Sequence, residues 1–405
     1  MGEIGKLVPK RRFKEFANGD NWECHKLGDL GSVAMNRRVF KEQTYDRGEI
    51  PFYKIGTFGG NPDAFISREL FEYYRANYPY PQIGDVLISA SGSIGRIVEY
   101  TGKDEYFQDS NIVWLKHDDR LDNGFLKYFY SVVKWDVLEG STIKRLYNKN
   151  ILETAIKLPS VPEQRKLAEH FDALSHQIGL LQSKVEKIKA LKSAYLSEMF
   201  PAEGECKPKR RFAGFTEDWE KRKLGEYGTF YYGHSAPKWS VTEKAETPCI
   251  RYGELYTKYG YKIDKVYSHT NMPKEKLVFS KGTEVLIPRV GEDPFDYNHC
   301  TWLSLEGVAI GEMISVYNTD QNPMFTAIMF NATLREEFAK RVEGGSVTNL
   351  YFEKLKNIDV AFPSIAEQKK IALYFSNLDN FINYHQQKLE KLQNIKKAFL
   401  NEMFI

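Results

Sequence analysis

From Pro159 onward the apolar residues change period. Leu167, Phe171, Leu174, Ile178, Leu181, Val185, Ile188, Tyr195 and Met199 step alternately by four and three, with Lys192 as the one interruption. That is the a/d stripe of a coiled coil. The stripe returns 204 residues later (371 − 167 = 204) as Ile371, Phe375, Leu378, Ile382, His385, Leu389, Leu392, Phe399 and Met403, with Lys396 in the place of Lys192. Each is preceded by Pro-Ser-x-x-Glu, at Pro159–Glu163 and Pro363–Glu367. The proline disfavours helix upstream, and the Ser-x-x-Glu spacing predicts a capping box. The first helix, from Pro162 to Met199, has 199 − 162 + 1 = 38 residues and a length of roughly 57 Å at about 1.5 Å per residue. A stripe this long needs a partner, and the other helix offers the same stripe. The economical arrangement is antiparallel, with the two globular domains at opposite ends of a rigid spacer. Packing of each helix on its own domain is the plainer alternative. His385 and the two lysines then act as register devices or snorkelling side chains.

Ahead of each helix the pattern is shorter. Pro51–Ile55, Asp85–Ser89, Ile112–Leu115, Cys249–Tyr252, Glu284–Pro288 and Met313–Tyr317 read as strands between turn residues, and Asn123–Leu138 and Thr326–Val342 as helices. The class is α+β.

The chain repeats itself. Pro-Lys-Arg-Arg-Phe stands at 9–13 and again at 208–212, Trp22-Glu23 is matched by Trp219-Glu220, and Lys26–Asp29 by Lys223–Glu226. Leu146-Tyr147 pairs with Leu350-Tyr351, and Glu198–Phe200 with Glu402–Phe404. This predicts a pseudo-two-fold tandem duplication: two mixed α/β domains joined by two long helices in an antiparallel coiled coil. The expected boundaries are 1–160 for the first domain, 161–200 for its helix, 201–207 for a linker, 208–363 for the second domain and 364–405 for the C-terminal helix. Between the repeated ends the copies diverge: Gly84–Gly92 faces Gly282–Gly291 with different loop chemistry. One architecture reading two ligands produces that pattern, and so does drift.

The net charge is +3, so any nucleic-acid contact must come from local clusters. Four cysteines without C-x-x-C spacing argue against a disulfide framework or zinc site and fit a reducing cytosol. The first residues lack the apolar core of a signal peptide, no apolar run is long enough to cross a bilayer, and a cytoplasmic location is expected. With 25 tyrosines and 26 phenylalanines, several segments mix aromatic, basic and amide side chains. Candidate DNA contacts are Arg37 and Arg38; Ser91, Ser93 and Arg96; Lys144, Arg145, Tyr147 and Asn148; Tyr231, Tyr232 and His234; Arg289; and Thr348, Asn349 and Tyr351. Arginine can be bidentate to guanine and asparagine to adenine. The runs Lys10–Arg12 and Lys207–Arg211 could touch phosphate or serve as solubilising linkers.

Together, Arg12–Asp29 with Arg211–Glu226, the Gly84–Gly95 segment, and Leu158–Gln164 with Phe362–Gln368 carry a resemblance over essentially the whole chain. It resembles the specificity (S) subunit of type I restriction-modification enzymes. The resemblance implies a non-catalytic DNA-binding subunit with two target-recognition domains, each reading half of a bipartite, asymmetric double-stranded DNA site. The helices then act as a ruler. It implies methyltransferase (M) subunits that bring S-adenosylmethionine and nuclease-translocase (R) subunits that use ATP and Mg, with no cofactor, metal or catalytic residue on this chain. Two departures are Leu174-Ser175, where the second copy keeps Leu378-Asp379, and Pro288–Gly291 in place of a Ser-rich loop. Half-sites of about 3–4 bp one helical turn apart would leave an unread gap of roughly 6–7 bp.

A self-contained enzyme is the rival reading. Asn322–Phe325 is one residue from an amine-methyltransferase motif. It lacks the Gly-rich cofactor loop, and so reads as a turn. A coiled-coil scaffold that tethers partners without base readout would explain the helices but not two elaborate aromatic-rich domains.

Overall fold

The structure is a computed structural model that describes residues 7–135, 145–234, 236–242 and 244–405. The chain divides into two units, Met1–Gln182 with Gln387–Ile405, and Ser183–Gln386.

In the first unit a four-stranded antiparallel sheet runs in the order Gly31–Ala34, Ile112–His117, Val86–Ser89, Ile97–Glu99. All four residues of Val86–Ser89 are buried, so the strand reads as a continuous apolar run rather than an alternating one. Alternate side chains feed opposite faces. Val86 and Ile88 join Trp22, Leu27 and Phe125, while Leu87 joins Phe58, Tyr100 and Trp114. Between the first and last of these strands in sequence the chain adds a small sheet, Phe65–Ile66, Ile50–Tyr53 and Tyr106–Phe107. Against it packs the helix Arg68–Asn77, capped by the Ser67 hydroxyl.

The second unit repeats the main sheet in the same order, Gly228–Tyr232, Ile314–Thr319, Glu284–Pro288, Thr301–Leu303, and extends it with Lys262–Ile263. Its insertion is a different, four-stranded sheet: Ser268–Thr270, Thr247–Ile250, Glu306–Ile310, Phe279–Lys281. Divergence is thus concentrated where the sequences diverge. A two-stranded clasp recurs in both units, Glu23–Lys26 on Ala155–Leu158 and Glu220–Lys223 on Asp359–Phe362. Gly31 and Gly228 begin the first strand of each main sheet, and a Cβ on either would collide with a carbonyl oxygen, of Lys116 or Asn318.

The long helices are Val161–Glu198 and Ile365–Met403. Within the first unit Ser175 meets Lys396 and His170 meets Phe399; within the second, Lys192 meets Asp379 and Tyr195 meets Tyr374. Partner numbers fall on one helix as they rise on the other, so the segments are antiparallel in each unit. Every seam position, Leu167 to Ile188 and Ile371 to Leu392, is buried or half-buried. The helices also serve their own domains: Leu167 and Phe171 lie in the first unit's core, Ile371 and Phe375 in the second's. Each core is completed by the tail of the other helix, Met403 in the first unit and Met199 with Phe200 in the second.

Several expectations are corrected. The capping box forms only in part: Ser364 Oγ accepts from the Glu367 amide at 3.4 Å, whereas the glutamates turn away from their own helix ends. Glu163 takes a bidentate pair from Arg12 at 2.7 Å, and Glu367 one from Arg211 at 2.7 Å. Arg11 and Arg210 pair with Glu402 and Glu198. These arginines therefore clamp the helix ends, each already paired with a carboxylate. The helix beginning at Asn123 ends at Val132, and residues 136–144 lie outside the described residues. The later one is two helices, Pro323–Thr333 and Arg335–Ala339. Asn322 is its N-cap rather than a turn residue, accepting from the Phe325 amide at 2.8 Å.

Candidate nucleic-acid interface

A cation that is to meet DNA should not already be neutralised by the protein. The arginines sort on this criterion. Those of the clasps and helix ends (Arg11, Arg12, Arg210, Arg211) are all ion-paired. Arg37, Arg38, Arg96, Arg145 and Arg289 have no carboxylate within ion-pair distance among the described residues. They rest on aromatic rings or backbone carbonyls instead. Arg47 and Arg251 share that freedom and went unnoticed in the sequence, because nothing local marks an arginine as unpaired.

In the first unit the chain beyond Val86–Ser89 is joined to the segment that opens the helix Asn148–Glu153. The Leu146 amide donates to Ala90 O at 2.8 Å, and Ser91 and Arg145 form an isolated β-bridge. Ser91 Oγ donates to Asn111 Oδ1 at 2.8 Å, and Arg145 Nη2 to Ser110 O at 2.9 Å. Among the described residues Ser110 is the one non-glycine residue with positive φ, at 51°. Arg145 also lies over the ring of Tyr147, which is 52% exposed beside Asn148. Ser93 and Arg96 flank this cluster on the same loop: Arg96 donates to Phe58 O at 2.7 Å and weakly to Ser93 Oγ. Asn111 positions Ser91 from 20 residues away, and no sequence signal announces it. Arg37 and Arg38 belong to another segment, stacked on Tyr78 and Phe40. Beside them Asn36 is 3% exposed, with both side-chain polar atoms unpartnered. Lys144 lies outside the described residues.

In the second unit the same junction recurs with different side chains. The Leu350 amide donates to Arg289 O at 2.8 Å, and Val290-Gly291 pairs with Thr348-Asn349. The Arg289 guanidinium lies 4.9 Å from the Tyr232 ring centre. The Tyr232 ring packs on Phe352, and its hydroxyl donates to Glu353 at 2.9 Å. Burial and that bond push the Tyr232 hydroxyl up to about 12, so it stays a proton donor at neutral pH. Tyr351 is exposed nearby in sequence. Tyr231 faces the other way and packs on the core containing Ile250 and Leu286. Thr348 is buried with its hydroxyl against Gly291 O and the Tyr297 hydroxyl, so it holds the loop. His234 is exposed, its amide bonded to Ile310 O.

Among the described residues no group of three or more His, Cys, Asp or Glu is placed to hold a metal, and no helix is long and apolar enough to cross a membrane. Cys24, Cys206, Cys249 and Cys300 are free thiols.

Two mixed domains on a common plan, each closed by antiparallel segments of two long helices and carrying arginines without a carboxylate partner among the described residues, define a duplicated architecture. The chain belongs to the family described as the type I restriction modification DNA specificity domain, which it matches at residues 19–190 and 216–394. It is 51% identical over 156 residues to a putative type I restriction enzyme specificity subunit of Haemophilus influenzae. That match covers 38% of this chain and 40% of the relative. A putative MjaX specificity subunit of Methanocaldococcus jannaschii is 23% identical, with 98% of this chain and 96% of the relative covered. The crystal structure of a type I restriction-modification system S subunit from M. genitalium superposes with a TM-score of 0.63 at 16% identity, covering 98% of this chain and 99% of that one. At that identity the likeness speaks to the fold alone.

Proposed function

We propose that the chain reads a bipartite, asymmetric DNA sequence, one half with each unit, and directs methylation or cleavage by partner subunits. The observation that supports this most is the sorting of charge. Arginines that serve the fold are paired with carboxylates, while those on the divergent loops are left unneutralised beside tyrosines and amides. Phosphate and base edges are the natural complement of such loops. Chemistry resides on the partners: S-adenosylmethionine on methyltransferase subunits, ATP and Mg on nuclease-translocase subunits. The long helices set the unread gap, and the assembly acts on DNA in the cytoplasm.

The test is to express the chain with its methyltransferase subunit and map methylated adenines across a genome. A single split sequence with a constant gap is expected. Methylation without a common sequence, or with a variable gap, would overturn the reading in favour of a tethering scaffold.

A further inference from the structure

We propose that Arg289 is a base-reading residue that selects a G·C pair in the half-site addressed by the second unit, an inference that rests on reading the chain as a DNA specificity subunit. The guanidinium is held in place but not satisfied. Its Nη2 lies 3.0 Å from the thioether of Met313, a weak acceptor, and its Nε is buried without a partner. Glu353 is engaged by the Tyr232 hydroxyl rather than by Arg289. The guanidinium instead lies over the Tyr232 ring.

The backbone beneath it is pinned on both sides. The Arg289 amide donates to Met313 O at 3.0 Å, and its carbonyl accepts from Leu350. A phosphate clamp needs only a charge within reach, and a flexible lysine suffices. Guanine asks for two parallel donors in one plane, aimed at O6 and N7. A planar fork stacked on an aromatic ring at the end of a buried strand supplies that geometry with little ordering left to do. In the first unit the corresponding position is Ala90, whose carbonyl accepts from Leu146. The requirement should therefore fall on one half-site only.

Arg289→Gln and Arg289→Lys, each in the full chain with its methyltransferase subunit, are scored on a plasmid library randomised at both half-sites. Arg289→Lys keeps the charge and the ring contact while losing the fork, and co-purification with the methyltransferase subunit reports folding. The expected result for both is a loss of about ten- to a hundred-fold in discrimination at one G·C pair of one half-site, with the other half-site and the gap unchanged. A uniform drop in methylation with unaltered sequence preference would show a phosphate contact, and no change would show a packing role; either overturns the proposal. If the unmodified chain directs no sequence-specific methylation, the functional reading itself has failed.

Discussion

Lys192 Nζ meets the carboxylate of Asp379 within the second unit, whereas its counterpart Lys396 meets the hydroxyl of Ser175 in the first, at 2.8 Å. Both copies keep the lysine on the seam, but only the second pairs it with a carboxylate. Burial, then the nearby charge of Lys127, pushes the Lys396 ammonium below its usual range.

Restoring the carboxylate should repair this. Ser175→Asp is expected to stabilise the first unit by up to about 1 kcal/mol, and the gain should vanish in a Lys396→Met background. Thermal melting of the single and double variants checks it. Repulsion from Asp172, already bonded to Tyr128 and Lys127, acts against the gain, so equal destabilisation in both backgrounds would refute the coupling.

The Arg12–Glu163 clamp is nearly dry, with side chains 10% and 1% exposed. Arg12→Ala leaves a buried carboxylate unpaired and should cost about 3–5 kcal/mol. Arg12→Met combined with Glu163→Leu should recover most of that loss. Urea unfolding of the three proteins decides, and a single variant as stable as the parent would remove the clamp from the account. Arg211 and Glu367 should behave alike in the second unit.

His170 is packed by the rings of Phe13, Phe171 and Phe399, with Nε2 buried and unpartnered. Burial lowers its pKa, so below about pH 6.5, the ordinary histidine value, the unfolded chain binds the proton more readily than the folded one. Stability from this group is complete above that value and declines as pH falls through it towards the folded pKa. The second unit carries Tyr374 at the matching place, against Phe212 and Tyr195. His170→Tyr should flatten the pH dependence of the melting temperature between about pH 7 and 5. An unchanged slope would assign that dependence to other groups.

If the helices set the gap, lengthening both should lengthen it. Seven residues inserted after Gln182 and seven after Gln386 add about 10 Å of helix, close to 3 base pairs at about 3.4 Å each. The methylated sequence should keep both halves and gain a longer spacer. A gap that stays the same would end the ruler idea.

What could be read from the chain follows from how local each signal is. The stripe from Leu167 to Ile188 is a property of one helix, and it marks buried or half-buried positions throughout. The strand Glu284–Pro288 is bounded as its apolar run suggests, because both faces are covered. The basic runs gave no sign of the clamps, because a charge motif carries no record of its partner: Glu163 lies 151 residues from Arg12. The capping box misled for the same reason, its glutamates being claimed by distant arginines. Within the candidate interface, Arg145 and Tyr147 stand two apart in sequence and are stacked. That Ser91 joins Arg145, or that Thr348 is sealed by Tyr297, depends on strand pairings that no single loop encodes.

The closing of the first unit by Gln387–Ile405 sets an order of synthesis against an order of completion. Met403 is buried in a core whose other members were translated some hundreds of residues earlier. Until Gln387–Ile405 has been made, that core lacks a wall, while Ser183–Gln386 is already complete. The unit begun earlier is the one completed later, and removing Gln387–Ile405 would damage a domain whose other residues all precede Ser183.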